Sequence, residues 1–374
     1  MTNLIEFPGL GISLELSRVA FTIFGMPIYW YGVCIGFGMV LAVLFAFSQC
    51  NRFGIDGDRM VDVIIIGLIC AIAGGRLYYV VFIDSSYDTF IDMINLRNGG
   101  IAIYGAIIGA FIGAAIASKW RKVPVLPMFD LAGIGFLIGQ SIGRWGNFFN
   151  QEAFGTNTNL PWGMISPTTT YFLESRQMKL AMDGIMVDPS LPVHPTFLYE
   201  SIWCAIGFLL LFLYRKKRKF NGEMFLLYVM WYGLGRFFIE GLRTDALMMK
   251  GLGLPVSQVL AAVSVMAALA IWIMARVKTK GKSLQVPEIP PHRAVVKVET
   301  EQGEEEVTIE WPANSKEPNK AARLEMAKKK LEEEKSTESL VDKEEDGVAE
   351  VGNSKEEVEE KEEPEKQDDP EDKE

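Results

Sequence analysis

A cluster of polar side chains at the end of an apolar segment is the feature of this sequence that could carry chemistry. The segment begins at Val125, and residues 139–155 close it. Among the polar residues of this closing stretch are Arg144, Asn147, Asn150 and Glu152. A charge at the centre of a bilayer costs at least ~2.5 kcal/mol, so such a cluster lies at the membrane interface or in a wet cavity and indicates a functional site.

The simpler interpretation is an arginine that extends towards water at a helix end, beside an ordinary polar loop. The glycine content argues against it. A plain helix end needs one glycine, whereas this stretch has four: Gly139, Gly143, Gly146 and Gly155. Because glycine has no Cβ, these positions let backbone approach backbone or ligand closely. We therefore favour a functional site.

Seven apolar segments surround this cluster in the sequence. They lie near residues 28–48, 61–83, 101–118, 125–142, 197–214, 224–240 and 255–275. A membrane-spanning helix needs about 20 apolar residues. The segments lack the alternation of a barrel strand, and helices satisfy their own backbone hydrogen bonds in lipid. The sequence predicts an all-α polytopic membrane protein, with seven transmembrane helices in residues 1–282.

Lysine and arginine are distributed unevenly over the connections between these segments. The connections after the first, third, fifth and seventh segments contain fourteen of them, and the other connections contain six. Positive residues favour the cytoplasmic side of a membrane. We therefore expect the N-terminus outside and the C-terminus in the cytoplasm. The polar cluster, Arg243 and the connection of residues 143–196 then face outward.

The connection of residues 143–196 is long enough for a small outer head region. It ends at His194, the only histidine before the tail. Pro195 and Thr196 can start and cap the next helix. One turn later Glu200 lies within an apolar segment, where a carboxylate needs a partner, and an arginine is the expected one.

Charged residues also close the sixth segment. Arg236 and Glu240 are four residues apart and Arg243 follows Glu240 by three, so they can form one ionic stripe on a helix. One arginine neutralises Glu240, which leaves the other for an anion. One histidine and scattered carboxylates do not make a metal-ligand set. No phosphate-binding or dinucleotide fingerprint occurs, and topology explains the basic run at residues 215–219, so neither a cofactor nor a nucleic-acid partner is predicted.

The N-terminal residues 1–27 lack the basic region and cleavage site of a signal peptide. We expect an outer arm that lies against the membrane. Its apolar contacts would be Phe21, Ile23, Phe24 and Met26. Three aromatic residues then open the first segment: Tyr29, Trp30 and Tyr31. They fit an aromatic belt at the interface at least as well as a catalytic role.

The tail, residues 283–374, differs in composition from the rest of the chain. It holds 30 of the 47 acidic and 14 of the 37 basic residues, which gives a net charge of −16 there and leaves +6 before it. Long charged runs and few aromatic residues cannot bury enough apolar surface to offset the entropy of ordering. We predict a disordered acidic tail, with at most a short helix between Lys320 and Lys335.

These motifs resemble those of a known family. The run from Gly143 to Glu152, followed by Phe154 and Gly155, is similar to the signature of the prolipoprotein diacylglyceryl transferases, bacterial cell-membrane enzymes that lipidate lipoprotein precursors. The family's other motifs have counterparts in the same order: Trp30-Tyr31-Gly32, His194-Pro195-Thr196 with Tyr199-Glu200, and Gly235-Arg236 with Glu240 and Arg243. The resemblance covers residues 1 to about 280 and leaves out the acidic tail.

The resemblance implies an activity. Members transfer the diacylglyceryl group of phosphatidylglycerol to the lipobox cysteine thiol of secreted prolipoproteins and release glycerol phosphate. Such chemistry needs cationic donors around the phosphate and an acceptor for the thiol proton. By resemblance, Arg144 and Arg243 are catalytic. The implied phosphatidylglycerol-binding residues are Arg144, Asn147, Glu152, Gly155 and Tyr31.

One position departs from the family pattern. Many members have a histidine after the paired glycines of the third segment, where this chain has Tyr104. Tyrosine has a solution pKa of about 10 and is a poor resting base at neutral pH. Three roles remain open for the proton transfer: Tyr104 orients the substrate, an arginine activates Tyr104, or His194 replaces it.

Two other classes of protein fit parts of the pattern. A membrane transporter for a small anionic or lipid substrate would also show glycine seams and buried ion pairs, but such proteins often contain paired, broken halves, and none is convincing here. A structural scaffold would explain the tail, yet it gives no reason for the outward cluster of Arg144, Asn147 and Glu152. Transport and thiol-lipidation assays separate these hypotheses.

Overall fold

A computed structural model of the chain describes residues 2–83, 87, 89–96, 99–244, 248–249, 254–289, 291–300, 303–312, 315 and 318–349. The chain divides into two compact units, Met1–Ile289 and Pro290–Glu374. The helices of the first unit are α1 Trp30–Gln49, α2 Gly57–Phe82, α3 Phe90–Ile94, α4 Ile103–Trp120, α5 Val125–Asn150, α6 Pro167–Met182, α7 Thr196–Tyr214, α8 Glu223–Glu240 and α9 Val256–Lys278.

Each predicted apolar segment coincides with a helix, and among the described helices of the first unit only α3 and α6 lie outside those segments. Among the described helices, six are long and apolar enough to cross a membrane, namely α1, α2, α4, α5, α7 and α9. Helix α8 is less apolar because its 18 residues include Glu223, Arg236 and Glu240. The structure thus confirms a polytopic helical membrane protein, while the seventh span remains a prediction.

Helix α5 is longer than its apolar segment. We expected that segment to end near residue 142, but the helix continues to Asn150, so Arg144 and Asn147 lie in its last turns. It ends at Gln151, which has a left-handed backbone with φ of 55°. The head region therefore begins about two turns later than residue 143.

The prediction of an all-α fold was wrong at the N-terminus. Strands β1 Thr2–Phe7 and β2 Ile12–Ser17 form one antiparallel hairpin, and β3 Val19–Ile23 and β4 Met26–Tyr29 form another. In the second hairpin Phe24 and Gly25 both have positive φ values, the conformation of the tight turns that match strand twist. The four apolar residues expected in the arm are all exposed: Phe21, Ile23, Phe24 and Met26.

The head region has a hydrophobic core of its own. Ile5 of β1 is fully buried there with Met164 and with Leu173 of α6. Backbone hydrogen bonds join Glu6 and Ile165 in both directions at 2.9 Å. The head region therefore consists of the first hairpin together with the connection that was predicted to form it alone, residues 143–196.

Helices α2 and α4 pack closely through small residues. A Cβ at Gly109 would lie 2.2 Å from the carbonyl oxygen of Cys70, and one at Gly74 would lie 2.6 Å from that of Gly105. Neither clash could be relieved by a side-chain rotation, because both involve backbone oxygens. Glycine at these positions lets the two backbones touch.

Helices α7 and α8 are joined by a reciprocal pair of tryptophans. The indole N–H of Trp203 donates to the carbonyl of Trp231 at 2.8 Å, and that of Trp231 donates to the carbonyl of Trp203 at 2.9 Å. The rings stack with centroids 4.3 Å apart. Each ring lies over a glycine of the opposite helix, Gly235 or Gly207. This tryptophan clasp fixes the register of α7 against α8.

A carboxylate from a distant helix caps the start of α8. Asp130 of α5 is fully buried and accepts the backbone N–H groups of Gly222 and Phe225 at 2.8 and 2.9 Å. The first N–H groups of a helix have no partner within the helix, and their partial positive charge favours an anion. Asp130 therefore ties α5 to α8 at the end of the bundle opposite the head region.

The prediction of a disordered tail was wrong for much of the second unit. Strands β5 His292–Thr300 and β6 Gly303–Trp311 pair antiparallel, and α10 Lys320–Ala349 follows. Alternate residues are apolar at positions 294, 296 and 298 of β5 and at 307, 309 and 311 of β6, a pattern that overall composition conceals. These residues face one core together with the helix, through Val298, Val307, Ile309, Trp311 and Ala327. Residues 350–374, also predicted to be disordered, lie outside the described residues.

We predict that Gly109→Ala destabilises the protein by about 1–3 kcal/mol, the usual cost of overpacking, because its Cβ would clash with the Cys70 carbonyl. The midpoint of thermal unfolding in detergent measures this. The control is Gly36→Ala in α1, where a Cβ would meet no atom of the described residues within 4 Å. Equal midpoints for the two variants would contradict the close α2–α4 packing.

Candidate active site

Glu200 lies at the centre of a charged cluster within the helix bundle. It occupies the second turn of α7, and its side chain is only 3% exposed. Arg144 of α5 forms an ion pair with one of its carboxylate oxygens, and Arg236 of α8 contacts the other at 2.6 Å. A buried carboxylate requires such partners, because desolvation of an unpaired charge is costly. Glu200 therefore holds three helices together through charge.

Two further charged residues extend the cluster. Arg236 also pairs with Glu240, one turn later on α8, and Arg243 lies with its Nη1 atom 3.8 Å from Glu200. The arginine side chains are 15 to 20% exposed, whereas the two carboxylates are 3 to 5% exposed. The carboxylates thus lie behind the guanidinium groups.

A cavity of about 410 Å³ opens in front of these arginines, between α4, α5, α8 and α9. We call it the arginine cavity. Its charged lining residues are Arg144, Arg236 and Arg243. Tyr104 of α4 contributes to the same wall, and the hydroxyls of Ser257 and Ser264 come from α9. An anion that enters this cavity meets guanidinium groups that their carboxylate partners already orient.

The tryptophan clasp lies next to this cluster. Trp203 follows Glu200 by one turn, and Gly235, over which its ring packs, directly precedes Arg236. A glycine at position 235 is required, since a Cβ there would lie 2.4 Å from the Trp203 ring. The clasp therefore sets the relative position of Glu200 and Arg236.

A chain of hydrogen bonds leads from the arginine cavity towards the head region. Arg144 reaches the side-chain oxygen of Asn147 at 3.5 Å, and the Asn147 amide donates to Glu152 at 2.9 Å. Asn150 donates to the same carboxylate oxygen at 3.2 Å. Asn147 thus connects the cationic site to Glu152.

Glu152 lines a second cavity, of about 950 Å³, between the second N-terminal hairpin, the start of α1, the end of α5 and the head region. We call it the head cavity. Tyr31 of α1 is part of its wall, together with the residues that follow α5. The ring of Tyr31 packs on Gly146, where a Cβ would lie 2.8 Å from it. The two cavities are therefore separated by the last turns of α5.

Gly155 stabilises the backbone at Arg243. The two residues form an isolated β-bridge, and the N–H of neighbouring Thr156 donates to the Leu242 carbonyl at 2.8 Å. A Cβ at Gly155 would lie 2.7 Å from that same Leu242 oxygen. Only glycine permits this contact, so close packing explains its presence.

His194 is engaged by a tyrosine. Its Nδ1 atom lies 3.0 Å from the hydroxyl of Tyr199, which also accepts the indole N–H of Trp162 at 2.9 Å. The indole can only donate, whereas the Tyr199 hydroxyl can either donate to Nδ1 or accept from it, according to the tautomer of the neutral ring. Burial lowers the pKa of His194 below its ordinary value, which favours this neutral form.

The structure therefore distributes the predicted site residues over three places. Arg144, Arg243 and Tyr104 line the arginine cavity, whereas Tyr31 and Glu152 line the head cavity. Asn147 forms hydrogen bonds with Arg144 of the arginine cavity and with Glu152 of the head cavity. Gly155 and His194 lie in the backbone junction beside Arg243, joined by a hydrogen bond of 2.8 Å.

Two arginines were not predicted as site residues. Spacing placed Arg236 in an ionic stripe, but its contact with Glu200, 36 residues away, is visible only in the fold. Arg76 of α2 is buried and donates to four backbone carbonyls, those of Asp92, Met93, Gly99 and Gly100, at 2.7 to 3.0 Å. It thereby holds the chain that leads into α4 and Tyr104.

A polytopic helical membrane protein with a cationic cavity is the class that the fold and site define. The family profile of prolipoprotein diacylglyceryl transferase matches residues 18–274. The chain therefore belongs to the prolipoprotein diacylglyceryl transferase family.

Similar proteins share the same description. A phosphatidylglycerol–prolipoprotein diacylglyceryl transferase of Clostridioides difficile (strain 630) is 42% identical over 270 residues, 71% of this chain and 98% of that protein. Its namesake of Clostridium novyi (strain NT) is 40% identical over 266 residues, again 71% and 98%. That of Bacillus cereus (strain G9842) is 42% identical over 241 residues, 64% of this chain and 86% of that protein.

We predict that Glu200→Gln lowers the free energy of unfolding by about 3–5 kcal/mol, because Arg144 and Arg236 would lose their shared counter-charge in an apolar environment. Thermal unfolding in detergent measures the change. Glu174→Gln, at an exposed position of α6, is the matched control. If the two variants unfold at the same temperature, the Glu200 ion pairs do not hold the bundle together.

Proposed function

We propose that this chain transfers the diacylglyceryl group of phosphatidylglycerol to the lipobox cysteine thiol of prolipoproteins, the first step of bacterial lipoprotein maturation. The observation that carries the proposal is the arginine cavity, where three arginines from α5 and the end of α8 converge among membrane helices. The names of the similar proteins specify the same two substrates.

The reaction is a substitution at carbon. The cysteine sulfur attacks the glyceryl carbon that carries the phosphate, a C–S bond forms, and the C–O bond to phosphate breaks. The bonding electrons leave with glycerol phosphate, and the thiol proton passes to a base. Negative charge therefore grows on the phosphate, and donors that already point at it stabilise the transition state.

Arg144 and Arg236 are the residues to which we assign this stabilisation, with Arg243 beside them. Their ion pairs with Glu200 and Glu240 fix the guanidinium planes before the lipid binds. A planar guanidinium can hold two phosphate oxygens at once, which a lysine cannot do. Nearby guanidinium groups also lower the pKa of an approaching thiol and so favour the thiolate nucleophile.

We further propose that α8 is the seventh span and that the head region faces outward from the bacterial cell membrane. The excess of lysine and arginine in the opposite connections supports this orientation. Lipid would then reach the arginine cavity from the bilayer. The secreted prolipoprotein would approach from the head region, with Asn147 and Glu152 between the two substrates.

We assign an orienting role to Tyr104. It lies in the wall of the arginine cavity, where its hydroxyl can donate to a phosphate oxygen. His194 lies in the backbone junction beside Arg243 and not in the described wall of the arginine cavity, which argues against it as the proton acceptor.

We predict that Arg144→Ala and Arg236→Ala each lower transfer by about 10²–10³-fold, the usual effect of removing one charge-stabilising donor. The assay is purified protein with phosphatidylglycerol and a lipobox cysteine peptide, read by mass spectrometry. Arg144→Lys should recover little activity. The control is Arg52→Ala, an exposed arginine at the end of α1. Near-normal transfer by both alanine variants would refute the assigned role.

We predict that Tyr104→Phe lowers turnover by about tenfold or less, the effect of one lost hydrogen bond. His194→Gln should have an effect of similar size, because its ring acts in packing. The comparison requires turnover of both variants across pH 6 to 9. A loss of about 10²–10⁴-fold in either one, with an altered pH profile, would identify that residue as the proton acceptor instead.

A further inference from the structure

Gln151 is the residue of the head cavity that the transfer chemistry leaves unexplained. It follows the last residue of α5, is only 2% exposed and lines the cavity. Its φ of 55° lies in the left-handed region, which residues other than glycine rarely adopt. Neither its amide oxygen nor its amide nitrogen has a hydrogen-bond partner within the described part of the chain.

Both properties destabilise the protein without a ligand. A buried amide without a partner loses its hydrogen bonds to water, and a left-handed glutamine is strained. A bound ligand that supplies the missing hydrogen bonds would offset this cost. A side-chain amide offers one carbonyl acceptor and one NH₂ donor, which match the N–H and C=O of a peptide group.

A second buried polar group of the head cavity also lacks a hydrogen-bond partner among the described residues. Thr244 lines the head cavity and is 5% exposed, and its hydroxyl has no partner among the described residues. The remaining wall includes Tyr29, Tyr31 and Phe172, which offer apolar surface to side chains. With about 950 Å³, the cavity has room for several residues of an extended chain.

The head cavity is also linked to the arginine cavity. Glu152, adjacent to Gln151, lies in its wall, and Asn147 joins Glu152 to Arg144. A polypeptide held at Gln151 would therefore lie against one side of the last turns of α5, and Arg144 lies on the other side, with Asn147 in contact with residues of both cavities.

We propose that the head cavity binds the lipobox segment of the prolipoprotein in an extended conformation, and that the Gln151 amide hydrogen-bonds its backbone. This inference rests on the proposed transferase function and adds the site of the second substrate. Gln151 is a specificity residue that acts on the peptide alone. The phosphatidylglycerol phosphate stays with the arginines.

The test is Gln151→Gly in the full-length protein, because glycine removes the amide and also relieves the left-handed backbone. The KM for a lipobox peptide should rise about three- to tenfold, the effect of one lost hydrogen bond. The kcat and the KM for phosphatidylglycerol should stay within about twofold of wild type. The thermal midpoint should be unchanged or higher.

The matched control is Lys122→Gly. Lys122 also has a left-handed backbone, with φ of 56°, and it lies in the connection between α4 and α5. This variant should gain the same backbone relief and keep the wild-type KM for both substrates. A rise in peptide KM that also occurs in Lys122→Gly would assign the effect to backbone strain and overturn the proposal.

Peptides with a single backbone N-methyl group test the hydrogen bond directly. One methylated position should weaken binding to wild type, yet cause little further loss in Gln151→Gly, since the partner amide is gone. Equal losses in both enzymes at every position, or an unchanged peptide KM in Gln151→Gly, would overturn the role of Gln151 while transfer itself persists. Absence of any transfer by wild type would overturn the proposed function and this inference together.

Discussion

Burial of one carboxylate among three arginines is the interaction on which the bundle depends. Glu200 cannot remain charged inside the bundle without partners, and Arg144 and Arg236 cannot remain there without a counter-charge. The requirement is mutual, and it brings α5, α7 and α8 to one point. Because the carboxylates lie behind the guanidinium groups, the interaction that holds the helices also leaves a cationic wall towards the cavity.

The rest of the fold maintains the geometry of this wall. The tryptophan clasp sets α7 against α8 beside Glu200, and Asp130 ties the opposite end of α8 to α5. Arg76 holds the chain that leads to Tyr104 through four backbone carbonyls. In each of these three contacts a polar side chain hydrogen-bonds to backbone groups. Such bonds are strong in an apolar environment, and they leave no charged group without a partner.

Features of the fold that depend on local composition could be predicted from the sequence. Hydropathy located every described helix of 18 or more residues in the first unit, and the residue types at the end of α5 indicated a functional site. Sequence analysis failed for features that depend on contacts between residues far apart in the chain. An arginine was expected beside Glu200, but a separation of 36 positions hides that Arg236 is one of its partners. The polar last turns of α5 resembled a loop. The net charge of the tail hid the alternation of Val296, Val298 and Val307, from which the second unit builds its core.

The position of Glu200 between its partners also has a consequence for biogenesis. Synthesis proceeds from the N-terminus, so Arg144 is in the membrane before Glu200, and Arg236 arrives 36 residues later. A nascent chain that ends before α8 offers Glu200 only Arg144, one of the three arginines that surround this carboxylate in the complete chain. The full charged cluster therefore forms only after the residues up to Arg243 have been synthesised.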